Sequence, residues 1–329
     1  MMEIKNMFNK SEHIIWDAHA YPTLEVGSDL SSLFKFKKYG YSYVCLNVGF
    51  EPQSKNEVTN IINYITNYID ENSKNLQLVK STDEILEAKK TNKLAISFDI
   101  EGIGPFENLI ENIEFFYNLG VKQIAPVYNK NNNFGGGCFD HDTGLKSSGL
   151  DFIDEMNRLG ILIDCSHAGY KTCFDIINAS SKAIIFSHSN PKELKNHERN
   201  IPDQLIINCA KKGGVIGLNG INIFLKNQII TAGNFVNHID YIRNLVGIEH
   251  VGFGLDFVFE LKKTLELVKL HPDKFPNSKQ YSKIKMIAPN FIDDIIDELI
   301  KRSYSSDEVK LIIGGNFFKV AKSIWTSSV

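Results

Sequence analysis

Three histidines and two carboxylates follow short apolar runs of the sequence. The runs HIIWD, KLAISFD, GILIDC and KAIIFS precede His19, Glu101, His167 and His188, and Asp256 ends the run HVGFGLD. Imidazole and carboxylate groups are common ligands of zinc and similar divalent ions, and a further carboxylate can transfer protons. One histidine after a strand is more often a hydrogen-bonded structural group than a ligand. Three histidines and a glutamate after four different runs instead favour one shared metal site.

Eight such apolar, β-branched runs recur along the chain, each followed by a longer segment with helical spacing or polar character. Strands that alternate with helices form parallel sheets, and eight of them predict an α/β fold, a (β/α)8 TIM barrel. A doubly wound open sheet stays the alternative, weakened because no GxGxxG opens a helix after the first strand. The runs cover residues 13–17, 43–48, 93–99, 122–127, 160–165, 182–187, 213–219 and 250–256.

No repeat, proline-rich linker or low-complexity tract divides the chain, so residues 1–329 are predicted to form a single domain. We expect the barrel over about residues 13–260 and additional C-terminal helices over about 261–329, where no ninth strand pattern occurs. The C-terminal ends of barrel strands meet at one mouth, where residues from different strands build active sites. The five candidate residues are expected to converge there.

The amino-acid composition limits which binding partners and which cellular location we expect. The 329 residues are 43% hydrophobic and 23% charged, a globular balance, and a net charge of -3 argues against nucleic acid and anionic membranes as partners. Five scattered cysteines without a CxxC pair argue against a disulfide framework. The sequence shows no secretory leader and no apolar run of about 18 residues. We therefore expect a cytoplasmic protein without a membrane anchor.

The sequence resembles the renal, or membrane, dipeptidase family of metal-dependent hydrolases along nearly the whole chain. The most specific segment is FSHSNPKELKNHERNIPD at 186–203, with Ser-His-Ser followed by His-x-Arg-Asn. Further matching segments are DAHAYP, IEG, GLDFIDEMNRLGILIDCSHAG and GIEHVGFGLDF. The resemblance implies a barrel with a two-metal site, usually zinc, that hydrolyses dipeptides. Relatives are often dimeric, so it also implies a homodimer, which no stretch of the sequence supports independently.

The resemblance also implies roles for individual residues. Glu101 would bridge two metals, His167 and His188 would hold one of them, and a His-x-Asp motif on the first strand would hold the other. The aspartate at 256 would transfer protons. Arg199 would bind the substrate's carboxylate, for which the forked guanidinium group is suited.

Two positions depart from the family pattern. The first strand carries His19 and Tyr21 where His-x-Asp is expected, and residues two apart on a strand face the same way, so Tyr21 should replace the carboxylate in the site. Tyr128, followed by Asn129, stands where the family commonly has a substrate-binding histidine. We expect Tyr21, Tyr128 and Asn129 to contact the substrate.

Asp99 is a candidate for the missing ligand. It lies two residues before Glu101 and so shares its face of the strand. One hypothesis is that Asp99 supplies a carboxylate to a metal on His19. The alternative, which we favour, is that Asp99 hydrogen-bonds to a neighbouring backbone group or to Tyr21.

The leading prediction is a metal-dependent hydrolase that cleaves the amide bond of dipeptides or similar small substrates through a metal-activated water, with one or two zinc ions. Because Tyr21 and Tyr128 replace expected residues, two alternatives stay open. One is an altered, mononuclear amide hydrolase for a specialised peptide-derived metabolite. The other is a relative that binds metal or ligand without catalysis.

Overall fold

The structure of the protein is a computed structural model that describes residues 8–325 except 274 and 277. Residues 1–7 and 326–329, part of the predicted domain, lie outside the described residues. The strands are β1 (Trp16–Tyr21), β2 (Tyr43–Phe50), β3 (Leu76–Leu78), β4 (Leu94–Glu101), β5 (Val121–Ala125), β6 (Leu162–Asp164), β7 (Ile184–Phe186), β8 (Val215–Leu218), β9 (Val251–Phe253) and β10 (Phe257–Val258). Within the described residues they form one ten-stranded sheet in the order β10-β1-β2-β4-β5-β6-β7-β8-β9, with β3 paired to β4, and all of these pairings are parallel.

The last barrel strand is split into two short strands, β9 and β10, which pair with opposite ends of the sheet and so close it. β9 pairs with β8, whereas β10 pairs with β1. Between them, the backbone N–H of Asp256 donates to the carbonyl oxygen of His19 over 3.0 Å. A Cβ on Gly254 would lie 1.7 Å from the Ser187 carbonyl oxygen, so only glycine allows this close approach. The predicted (β/α)8 barrel is thereby confirmed.

Amphipathic helices cover the outside of the sheet. Helix α2, for example, begins at a capping box between Ser54 and Glu57 and buries residues at helical spacing from Val58 to Ile69. The α-helices of the barrel are α1 (Ser32–Lys38), α2 (Lys55–Glu71), α3 (Thr82–Lys90), α4 (Glu111–Asn118), α5 (Ser147–Leu159), α6 (Tyr170–Ala179), α7 (Asp203–Lys211) and α8 (Ala232–Val246).

The C-terminal segment is helical as predicted, with α9 (Leu261–Leu270), α10 (Ile292–Lys301), α11 (Ser306–Lys310) and α12 (Asn316–Ile324). Helix α12 packs at the start of β1, where the rings of Phe317 and Trp16 stack at 6.2 Å. Helix α9 instead contributes Thr264 and Leu267 to the wall of the cavity at the other end of the barrel. Among the described residues, no helix has the length and apolar character needed to cross a membrane.

Candidate active site

A cavity opens at the C-terminal ends of the barrel strands. Nine of the ten side chains that the sequence singles out line it, and the tenth, Asp99, lies behind His19. The barrel itself brings the strand-end residues together, because β1, β4, β6 and β7 end at the same rim. The nine are His19, Tyr21, Glu101, Tyr128, Asn129, His167, His188, Arg199 and Asp256.

Glu101, His167 and His188 present three donor atoms to one point. The Nε2 atoms of His167 and His188 are 2.9 Å apart, and Glu101 Oε1 lies 2.9 Å from the first and 3.5 Å from the second. Ligand atoms about 2.0–2.1 Å from a tetrahedral zinc ion lie about 3.3 Å from one another. These three atoms therefore have the spacing of one face of a tetrahedral site.

His188 is held by a relay of hydroxyl and carboxylate groups. Its Nδ1 donates to Ser187 Oγ over 2.6 Å, and that hydroxyl donates to Asp164 Oδ2. Ser166 Oγ donates to the other oxygen of Asp164 over 2.6 Å. With its proton on Nδ1, the neutral ring directs the Nε2 lone pair into the cavity. Such supporting hydrogen bonds fix the tautomer and orientation of metal-binding histidines.

His167 is oriented in the same way. Its Nδ1 donates to Asn129 Oδ1 over 2.7 Å, so its Nε2 is also a lone pair facing the cavity. Burial lowers the pKa of both His167 and His188 well below the usual value, and the nearby positive charge of Arg199 lowers them further. Both rings are accordingly neutral, the form that binds metals. Asn129, expected to contact substrate, here contacts His167.

His19 differs from the other two histidines. Its Nδ1 donates to Asp99 Oδ2 over 3.2 Å, and its Nε2 lies 3.7 Å from Asp256 Oδ1. Burial lowers the pKa of His19, but the negative charges of Asp99, Glu101 and Asp256 outweigh this and raise it well above the usual value. The second oxygen of Asp99 accepts from Asn47 Nδ2 over 2.8 Å. Both Asp99 oxygens thus accept hydrogen bonds from protein groups.

The donor set fits a divalent metal ion. Glu101 Oε1 is buried without a hydrogen-bond partner among the described residues, and burial raises the pKa of this carboxyl group, opposed by His19 and Arg199. Two neutral nitrogen lone pairs at 2.9 Å repel each other unless a cation lies between them. One divalent ion would satisfy all three atoms, and nitrogen and oxygen ligands suit zinc.

Arg199 is buried, and part of its guanidinium group faces the cavity without a partner. Its Nη2 lies 3.2 Å from His167 Nε2 and 3.4 Å from the His188 carbonyl oxygen. Its Nη1 is buried and, within the described part of the chain, has no hydrogen-bond acceptor. A buried, incompletely paired cation is costly, so the group is suited to bind an anionic substituent of a ligand.

Asp256 stands at the rim between β9 and β10. Its φ of +56° is a left-handed conformation that aspartate tolerates better than most residues. Oδ2 accepts from Asn219 Nδ2 over 2.9 Å, while Oδ1 points towards His19. The side chain is 17% exposed, so one carboxylate oxygen is held and the other is accessible from the cavity.

Tyr21 and Tyr128 both contribute to the cavity wall. Burial raises the pKa of both hydroxyl groups, and the charge of Glu101 raises them further, so both remain neutral phenols. The ring of Tyr128 lies 4.5 Å from that of His167. Tyr21 extends from β1 on the same side as His19, as the strand spacing predicts.

Sequence reasoning missed the residues that support the site: Asn47, Asp164, Ser187 and Asn219. Each is a polar residue within or directly after an apolar strand, which is unusual enough to be a signal. Ser187 also stands next to a candidate ligand. Their partners lie on other strands, however, and only the folded barrel shows which polar groups meet.

A (β/α)8 barrel with this donor set at its strand ends places the chain in the class of metal-binding TIM barrels. Residues 25–328 match the family model described as membrane dipeptidase, peptidase family M19. The chain belongs to that family, as the resemblance in its motifs predicted.

Several curated relatives are dipeptidases by name. An uncharacterized dipeptidase of Schizosaccharomyces pombe is 33% identical over 211 residues, which is 60% of this chain and 50% of that protein. Dipeptidase verJ of Clonostachys rogersoniana is 28% identical over 268 residues, 80% of this chain and 64% of that protein. The match therefore spans between half and two thirds of these relatives' length.

Solved structures share the fold over nearly the full chain. An amidohydrolase from Pseudomonas aeruginosa has a TM-score of 0.90 at 27% identity, covering 98% of this chain and 99% of that one. A metallo peptidase from Rhodobacter sphaeroides, liganded with a phosphinate mimic of the dipeptide L-Ala-D-Ala, has a TM-score of 0.77 at 17% identity and covers 95% and 100%. At that identity the second likeness concerns the fold alone.

Proposed function

We propose that this chain is a metal-dependent dipeptidase that hydrolyses the amide bond of dipeptides or similarly small amides. The observation that carries the proposal is the convergence of Glu101 Oε1 with the Nε2 atoms of His167 and His188, at 2.9–3.5 Å. The same cavity holds a guanidinium group and a partly exposed carboxylate, from Arg199 and Asp256. Membership of the membrane dipeptidase family supports the same activity.

Glu101, His167 and His188 would hold the ion, and zinc is the metal we propose. A divalent ion there would supply a water that is nucleophilic near neutral pH and would polarise the scissile carbonyl group. The protein contributes the orientation of the ligands. Asn129 fixes the ring of His167, and Ser187 fixes that of His188, so that neither has to reorganise.

Asp256 is proposed to move the proton. Because Asn219 holds Oδ2, the carboxylate keeps a fixed orientation with Oδ1 towards the cavity. From there it can accept a proton from the attacking water and deliver it to the amine that leaves. His19 Nε2 lies 3.7 Å from Oδ1, and both side chains line the cavity.

Arg199 is proposed to select substrates with a free terminal carboxylate. Two of its nitrogens can bind a carboxylate in a fork, which would give Nη1 the acceptor it lacks. The guanidinium group lies against His167, so a carboxylate bound there places the neighbouring amide close to the metal ligands.

A second candidate function is hydrolysis of an amide in a specialised peptide-derived metabolite. The observation that favours it is the presence of two phenols, from Tyr21 and Tyr128, in the wall of the cavity. Such groups offer ring surface and a single hydroxyl donor rather than charge. They would suit a substrate with an aromatic or apolar substituent.

The test is amine release from a panel of dipeptides by the zinc-loaded protein, with the matching dipeptide amides as controls. We expect turnover of dipeptides, much weaker turnover of the amides, and loss of turnover after treatment with a chelator. A protein that retains its metal but cleaves no dipeptide would contradict the dipeptidase proposal and favour the second candidate. Turnover that survives complete metal removal would contradict both.

A further inference from the structure

We propose that the site holds a single divalent ion, bound by Glu101, His167 and His188. A second ion beside His19 would need a third protein ligand, and Tyr21 occupies the position where that ligand would have to be. This inference rests on the proposed metal-dependent function. It concerns the number of ions rather than their presence. It follows from the distribution of donor atoms around His19.

A second ion beside His19 would need ligands that the described residues offer only by giving up another role. Catalytic zinc sites commonly have three protein ligands and one open position. Near His19, the ligand atoms of Glu101 and His188 lie within 4.8 Å, but His188 already faces His167 at 2.9 Å. If His188 binds the first ion together with His167, only His19 Nε2 and a shared Glu101 carboxylate remain for a second ion. That is two protein ligands, one fewer than such a zinc site commonly has.

Neither nearby aspartate can supply the third ligand without giving up the role it already has. Asp99 Oδ2 accepts from His19 Nδ1 and Oδ1 accepts from Asn47, so this carboxylate orients the ring from behind. Asp256 has one accessible oxygen, and binding an ion there would remove the carboxylate we propose for proton transfer. The remaining position on this face of β1, two residues after His19, is occupied by Tyr21.

Tyr21 shares a face of β1 with His19 and lines the same cavity, which is the geometry that a second ligand on that strand requires. A phenol is an uncommon zinc ligand, whereas carboxylate, imidazole and thiolate are common ones. The phenol ring therefore fills the position without completing a site. His19 acts as a positioning residue instead, because its ring stacks on that of His188 at 4.0 Å.

The test counts metal ions in three proteins: wild type, Tyr21→Asp and Tyr21→Asn. Asparagine matches aspartate in size and lacks its charge. Each protein is equilibrated with excess zinc, desalted, and analysed for zinc per chain by mass spectrometry of the elements. We expect one ion in wild type, two in Tyr21→Asp and one in Tyr21→Asn.

The outcomes separate this inference from the proposed function. Two ions in wild type would overturn the inference and leave the proposed function standing, whereas no ion in wild type would overturn both. One ion in Tyr21→Asp, in a protein whose thermal unfolding resembles wild type, would overturn the role of Tyr21. If Tyr21→Asp does not fold, wild type loaded with Mn²⁺ gives the answer by electron paramagnetic resonance: isolated ions are expected, and a spin-coupled pair would contradict the inference.

Discussion

The Nε2 atoms of His167 and His188 lie 2.9 Å apart, although the protons of both rings are directed away from each other to Asn129 and Ser187. Two lone pairs at this distance are repulsive in a buried site, where the low dielectric constant strengthens electrostatic interactions. A divalent cation bound between the two nitrogens would make this geometry favourable. This relationship supports the proposed metal site.

Replacing Glu101 by glutamine should abolish metal binding. The substitution keeps the size of the side chain but removes the negative charge that faces both imidazoles. We expect zinc affinity to fall by more than about 100-fold, since loss of mere supporting groups already costs about 10–100-fold. Competition with a coloured chelator measures this. Tight binding by a folded Glu101→Gln protein would exclude the glutamate as a ligand.

Ser187→Ala should weaken metal binding through His188. The change removes the acceptor of His188 Nδ1 and breaks the link to Asp164, so we expect zinc affinity to fall by about 10–100-fold. Ser189→Ala is the matched control. Ser189 lies on the other side of His188 and, in the described residues, its buried hydroxyl has no partner. Equal losses in the two variants would show a general packing effect rather than orientation of the ring.

Arg199→Met should affect substrates according to their terminal group. A hydrogen bond to a charged group contributes about 1.5–3 kcal/mol, so its loss should lower kcat/KM for dipeptides by about 10–100-fold. The dipeptide amides, which lack the carboxylate, should lose far less. Parallel kinetics on both substrate types measure the difference. An equal loss on both would mean that Arg199 supports the site without binding the carboxylate.

His238 should make the stability of the barrel depend on pH. Burial, aided by the charge of Lys226, lowers the pKa of this histidine to about 4, and its Nε2 accepts from the Lys226 backbone N–H. Between pH 6.5 and 4 the unfolded chain therefore binds a proton that the folded chain does not, so stability falls as the pH falls. About 2.5 pKa units correspond to at most about 3 kcal/mol.

Urea unfolding of wild type and His238→Gln at pH 7.5 and pH 5 measures this effect. The wild type should lose more free energy of unfolding between these pH values than the variant. His141→Gln, which changes an exposed histidine, should behave like wild type. The same pH dependence in His238→Gln as in wild type would assign it to other groups.

The barrel was predictable because each strand is a separate apolar run and each candidate ligand follows one. Two features were not. β3 (Leu76–Leu78) is three residues long and, in the part of the chain that the structure describes, pairs with β4 alone, so it leaves little pattern in the sequence. The break between β9 and β10 depends on the close approach of Gly254 to Ser187, two residues far apart in the chain.

The site was predictable at the level of residues that face the cavity and not at the level of their partners. The order of the strands brings His19, Glu101 and His188 together, and that order follows from the barrel. Whether Asn129 contacts substrate or His167 depends on the path of the loop after β5, where its φ of +62° turns the chain. No local pattern specifies such a contact.

Titration of the metal-free protein with zinc, followed by hydrolysis of a dipeptide, tests the central claim most directly. The expected result is no hydrolysis without zinc, a linear rise with added zinc, and a plateau at one equivalent per chain. Full hydrolysis by protein shown to be metal-free, or none at any zinc concentration for any dipeptide, would contradict the claim.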